Sequence, residues 1–126
     1  MEIVAIRGAI TVSDNTKEDI INSTKELIEA ILIVNDIHIE DIVEILFTAT
    51  KDLTAVYPAV GARELGIIHA ALMCMQEMYV EGSLTMCIRV SMHVKTTKFS
   101  QTTVQHQYLR EAARLRPDLT KTTEGQ

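Results

Sequence analysis

Arg89 stands between Ile88 and Val90, and Glu77 falls between Met75 and Met78, in a stretch from Cys74 to Val90 that is otherwise mostly apolar. Apolar neighbours exclude water, so a carboxylate and a guanidinium in such places need partners or a ligand. A guanidinium stays protonated when partly buried, and its planar fork of donors fits a carboxylate at two points. Arg7, beside Gly8, ends a short apolar stretch, and Arg63 and Arg116 complete a set of four in a chain of net charge −5. Such a set suits a pocket for a small anion. It suits equally a series of plain ion pairs, because 17 acidic residues are available and surface pairs are common. Glu77 likewise fits a solvent-facing or ion-paired role, or an acceptor for a ligand hydroxyl.

Other chemistry is harder to build. Cys74 has no histidine or other base near it in sequence, which favours a structural thiol over a nucleophile. His38, His69, His93 and His106 are scattered without H-x-x-x-H spacing, and Cys74 and Cys87 form no C-x-x-C, so no metal site is expected. There is no G-x-G-x-x-G, P-loop or G-x-S-x-G. The residues therefore describe either a binding module for a small anion, oligomeric and without catalysis, or an enzyme whose reaction needs only positioning and electrostatics.

The elements that must hold these residues can be read from periodicity. Ile3 to Arg7 is expected to be a strand ending at Gly8. Thr11 to Asn15 is a polar turn, with Ser13, Asp14 and Asn15 as capping candidates. From Thr16, Ile20, Thr24, Leu27, Ile28, Ile31 and Val34 fall at helical spacing on one face, and Asn35-Asp36 ends the run. Ile42 to Thr48 is a second strand, rich in β-branched residues. Pro58 opens a short helix, Ala59 to Leu65, which Gly66 stops. Ile67 to Met73 is expected to be extended, and if that alternation continues, Met75, Glu77 and Tyr79 share one face. Cys87 to Lys95 is a clear strand. Val104 to Leu115 has both helical and extended features, Lys121 to Gln126 is expected to fray, and Pro117 to Gln126 to be mobile.

This order predicts an α+β (mixed α/β) domain spanning residues 1–126, with a mixed β-sheet packed with one long and one short helix. One long helix leaves a sheet face short of cover, which points to oligomerisation. The 126 residues, 47% of them hydrophobic, supply a real core; with no Trp, three Tyr and two Phe, it is filled by aliphatic side chains. The acidic balance and scarce aromatics argue against nucleic acid or an anionic membrane as partner. No apolar run is long enough to span a bilayer, and Met1 to Gly8 lacks signal-peptide character, so a cytoplasmic location with free thiols is expected.

Six stretches in order resemble the AroH class of monofunctional chorismate mutases: I-R-G-A-I-T-V at 6–12, F-T-A-T-K-D-L-T-A-V-Y-P-A at 47–59, A-R-E-L-G at 62–66, C-M-Q-E-M at 74–78, G-S-L-T-M-C-I-R-V at 82–90 and Y-L-R-E-A-A-R-L-R-P-D-L at 108–119. The resemblance covers nearly the whole chain. It implies a homotrimeric pseudo-barrel with active sites between subunits, and the rearrangement of chorismate to prephenate without a cofactor. By the same resemblance Arg7 grips a substrate carboxylate, Arg89 donates to the ether oxygen, Glu77 accepts from the ring hydroxyl with Cys74 beside it, and Tyr108 donates to a carboxylate. Tyr57, Ala59, Met73 and Leu115 would line the pocket, with Arg63 and Arg116 near its mouth. Three places depart from the family pattern: Ala70-Ala71-Leu72 where V-P-L is frequent, Val60 where some members carry lysine, and Val94 where tryptophan is common.

Overall fold

The computed structural model describes residues 1–117. Five strands form one mixed sheet in the order β3-β2-β4-β1-β5. They are β1 (Glu2–Thr11), β2 (Ile42–Ala49), β3 (Ala71–Gln76), β4 (Cys87–Thr96) and β5 (Gln107–Leu109). Among the described residues two helices accompany them, α1 (Lys17–Asn35) and α2 (Ala59–Glu64), with 3-10 turns at Ile39–Asp41 and Arg110–Arg114. β4 runs antiparallel to both β1 and β2, while β3 joins β2, and β5 joins β1, in parallel. This is the expected α+β class, with α2 in the crossover that a parallel β2–β3 pair requires.

α1 covers one face of the sheet. Its stripe of Ile20, Thr24, Leu27, Ile28 and Ile31 is wholly buried, each aliphatic side chain contributing about 1.5–3 kcal/mol. Val4, Ile6 and Ile10 of β1, and Ile88, Val90, Met92 and Val94 of β4, meet it from the sheet. Val94 is fully buried there, so its small side chain belongs to this core. The hydroxyl of Thr24 donates to the Ile20 carbonyl at 2.8 Å, which satisfies it inside the core. Helix and sheet approach closely at Gly8, where a Cβ would lie 3.0 Å from both the Gln107 carbonyl oxygen and Ile31 Cδ1.

The helix begins one residue later than the capping candidates. Thr16 is the N-cap, its Oγ1 accepting the Asp19 N–H at 3.1 Å. Asn15 is spent elsewhere: its side chain accepts the Thr54 and Ala55 N–H groups and donates to Thr54 Oγ1, tying this turn to the loop after β2. The extended segment expected over Ile67 to Met73 is displaced to Ala71–Gln76. The reason lies in the end of α2. Gly66, at φ 93°, and buried Ile67 donate their N–H groups back to Arg63 and Ala62, closing the helix and removing both from any strand. β3 ends at Gln76, but Glu77 still pairs with the Ala49 carbonyl and, as expected, lies on the face of Met75, toward Thr48 and Arg89.

The ambiguous segment after Val104 becomes β5 and a 3-10 turn because of distant partners. Buried Asn35 both donates to and accepts from the Gln105 backbone at 2.9 Å. Ahead of β5, side chains complete the edge of β1: Gln101 exchanges two hydrogen bonds with Ala5, and His106 Nδ1 accepts the Arg7 N–H at 2.9 Å. The expectation of a mobile end concerns residues that, from 118 onward, lie outside the described part of the chain.

Candidate active site

The second face of the sheet, away from α1, carries the residues singled out above. Register aligns Tyr108, Ala9, Arg89, Thr48 and Met75 in one row across all five strands. The next row on the same face aligns Arg7, Ser91, Leu46 and Met73. Arg7 and Arg89 are therefore diagonal neighbours on adjacent strands, a relation that puts Cα atoms roughly 7–8 Å apart. Glu77 joins them from just beyond β3. Its N–H donates to the Ala49 carbonyl at 2.8 Å, and its Oε1 accepts the Thr48 hydroxyl and lies 3.3 Å from Arg89 Nε.

This pair is about three-quarters buried, with side-chain exposures of 26% for Arg89 and 21% for Glu77. Close as they are, Arg89 Nε is misaligned for a hydrogen bond with Glu77, its ion-pair partner, and has no other acceptor among the described residues. The Tyr108 hydroxyl, in a residue only 7% exposed, also lacks one. A buried donor left unmet costs about 1–3 kcal/mol. Arg89 and Tyr108 flank Ala9, which is itself wholly buried. Beneath them Ala9, Cys87, Tyr108 and Ala112 form a small cluster, with Leu84 and Leu115 packed on it. Burial raises the Cys87 thiol to about 11, with Arg89 pulling it back in part, so it serves as packing.

Cys74, Tyr57, Ala59 and Arg63 assemble elsewhere. Cys74 pairs in register with Phe47 and packs against the α1-side core, on the face opposite Arg89. Burial raises its pKa, offset in part by the Ala59 N–H and the Arg63 guanidinium, which places α2 beside it. Tyr57, Pro58, Cys74 and Met75 line a cleft along the β3 edge. A second cavity is lined by Glu77, Arg89, Asp52, Met78 and Leu84. Within one chain, then, Arg7, Arg89, Glu77, Tyr108 and Leu115 are gathered, and Met73 extends their face. Tyr57, Ala59, Arg63 and Cys74 form a separate group at the sheet edge. Arg116 is exposed and near enough to His106 to act on it: burial first, then Arg116 and Arg7, lower the histidine's pKa.

Some residues at the site were not legible beforehand. Thr48 holds the Glu77 carboxylate and His106 holds the Arg7 backbone; Thr48 lies inside the F-T-A-T stretch, but nothing in its type marks the role. Among the described residues no three His, Cys, Asp or Glu side chains gather as around a metal ion, and no helix is long and apolar enough to cross a membrane.

Known proteins agree with this architecture. The family model for chorismate mutase type I matches residues 3–119. Chorismate mutase AroH of Bacillus subtilis (strain 168) is 48% identical over 127 residues, covering 98% of this chain and 99% of that protein. Chorismate mutase AroH of Thermus thermophilus is 45% identical over 115 residues, covering 90% and 93%. The solved structure of a chorismate mutase from Clostridium thermocellum superposes with a TM-score of 0.84 at 48% identity, over 87% of this chain and 97% of that one. With its ordered motifs, its mixed sheet and full-length relatives of this similarity, the chain belongs to the chorismate mutase type I family, in its AroH class.

Proposed function

We propose that Arg7, Arg89, Glu77 and Tyr108 form one half of a chorismate site, and that Tyr57, Ala59, Arg63 and Cys74 of an adjacent subunit supply the other half. As a member of its family the protein is an isomerase that converts chorismate to prephenate. The shared site rests on the separation just described, since the two groups lie on opposite faces of one sheet. A homotrimer is the assembly that the family resemblance implies. The exposed apolar residues Ile3, Val43, Met73 and Met75, on or beside the open face, are what such an assembly would cover.

Chorismate carries two carboxylates and a flexible enolpyruvyl side chain. In the [3,3] rearrangement one C–O bond breaks and one C–C bond forms; no proton, electron or leaving group departs. The catalyst must therefore select the conformer that folds the side chain over the ring, and meet the charge that grows on the ether oxygen as the C–O bond opens. Arginines that hold both carboxylates perform the first task. Arg89 performs the second, because its guanidinium is already fixed by strand β4 and needs no reorganisation. Glu77, held through Oε1, presents its other oxygen to the ring hydroxyl. The single observation that carries the reading is the placement of Arg89, paired with Glu77, and of the buried Tyr108 hydroxyl, without a hydrogen-bond partner among the described residues, on one row of the sheet.

Residues 1–126 act as one catalytic domain in this reading, and a cytoplasmic location accords with two free thiols. The test is to follow chorismate loss, confirm prephenate as product, and compare Arg89→Ala. Removing one such donor costs about 3–4 kcal/mol, two to three decades in rate. A folded Arg89→Ala enzyme with wild-type turnover would sink the assignment.

A further inference from the structure

Arg89 is the third residue of β4, and the residue just before that strand, Met86, has φ 51°. An L side chain seldom adopts that conformation without neighbours to hold it. Here two side chains from the loop after β2 hold it. Both carboxylate oxygens of Asp52 accept the Met86 N–H at 3.1 Å. Thr50 Oγ1 donates to Asp52 Oδ1 at 2.5 Å and accepts the Cys87 N–H at 3.0 Å. The Thr50 N–H donates to the Cys87 carbonyl, also at 3.0 Å, and the Met86 carbonyl accepts from Val12. The β2–β4 ladder otherwise ends at Ala49 and Ile88, so this clamp extends it past Arg89 on the strand's N-terminal side.

The same short segment also holds Glu77, through the Ala49 carbonyl and the Thr48 hydroxyl. Residues 48 to 52 thus set the carboxylate and the guanidinium relative to one another. Asp52 lines the cavity that Glu77 and Arg89 share, yet its oxygens already face an N–H and a hydroxyl. An acid whose acceptors are so occupied is suited to hold the backbone and not to bind a dicarboxylate.

We propose that Asp52 is a positioning residue for the rearrangement: through Thr50 and Met86 it fixes where β4 delivers Arg89, without touching substrate. This rests on the chorismate reading. The two fail separately, since a wild-type protein that leaves chorismate unchanged refutes that reading before any variant is compared.

The experiment measures kcat and KM for Asp52→Ala and Asp52→Asn, each in the wild-type and the Arg89→Lys background, with circular dichroism and sedimentation confirming fold and assembly. An interaction realised only in the transition state lowers kcat and leaves KM alone, so Asp52→Ala is expected to lower kcat about tenfold or more with KM changed less than about threefold. Asparagine keeps an acceptor oxygen and is expected to recover kcat to within about threefold of wild type. In the Arg89→Lys background the loss from Asp52→Ala is expected to shrink below about threefold, because coupled residues are not additive. Equal losses in both backgrounds, a loss confined to KM, or an asparagine variant no better than alanine would each overturn the proposal. If Asp52→Ala does not fold, Thr50→Val against Thr50→Ser is read by the same criteria, since only serine keeps the hydroxyl of the clamp.

Discussion

Two inactive variants should restore one another if the site is shared between subunits. Arg89→Ala removes the guanidinium from the open sheet face. Arg63→Glu reverses charge in the separate group beside Cys74, at an exposed position where the fold has little to lose. A like charge against a substrate carboxylate costs several kcal/mol, so each variant alone should fall by about two decades or more. In a mixed assembly, a competent site needs its Arg89 from an Arg63→Glu subunit and its Arg63 from a neighbouring Arg89→Ala subunit. In the proposed closed ring of three, any assembly that contains both chains has one junction of the three in this orientation, so about one third of its sites are intact. The assay is chorismate consumption by the two chains coexpressed with different tags and purified through both, compared with each variant alone. Activity far above the mean of the parents, approaching a third of wild type, is expected. Activity that stays at that mean, in an assembly shown to contain both chains, would refute the shared site and return all the residues to one subunit.

Other consequences are local. Gly8→Ala forces a Cβ to 3.0 Å from the Gln107 carbonyl and Ile31 Cδ1, so urea unfolding should show a loss of about 1–3 kcal/mol; an unchanged midpoint would count against the close approach of α1 to β1. Thr16→Ala removes the cap on Asp19 and should cost about 1 kcal/mol, read in the same melts, with Ser13→Ala and Asp14→Ala as the silent controls. Since burial raises the Cys87 thiol to about 11, iodoacetamide at about pH 8 should leave it unlabelled in the native protein by mass spectrometry; rapid native labelling would contradict its burial. His106 has a folded pKa below its ordinary value, so the unfolded chain takes up its proton first as pH falls. The stability tied to its neutral form is then full above about pH 6.5 and lost below it. Stability should therefore fall less between pH 7.5 and 5.5 in His106→Asn, whose oxygen can replace Nδ1 as acceptor for Arg7, and equal slopes would dismiss the effect.

The parts of the fold that were legible are those whose signal is local. Ile20, Leu27, Ile28 and Ile31 recur at helical spacing and all lie buried on α1, because the period of a helix decides which side chains share a face. β1, β2 and β4 follow from β-branched runs in the same way. The parts that were not legible depend on partners far along the chain. β5 is extended because Asn35 and the edge of β1 take up its approach. β3 starts late because Ile67 is needed to close α2.

For the site, residue type was the informative signal. A guanidinium at 89 and a carboxylate at 77 are costly among apolar neighbours, so their presence alone marked them, and the ordered motifs named the family. Composition and spacing were silent on what each side chain faces. Cys74 and Glu77 are three residues apart, an odd spacing that sends them to opposite faces of an extended chain, but which of those faces α1 covers was set by packing. Asp52 and Thr50 carry no mark in sequence, since the peptide N–H groups that donate to them lie 34 and 37 positions away. The sequence by itself determined the chemistry available, which is set by side-chain type, and the periodic elements, which are set by local patterning. Only the tertiary structure decided which of those groups meet, because strand register and loop closure are properties of pairs of distant segments.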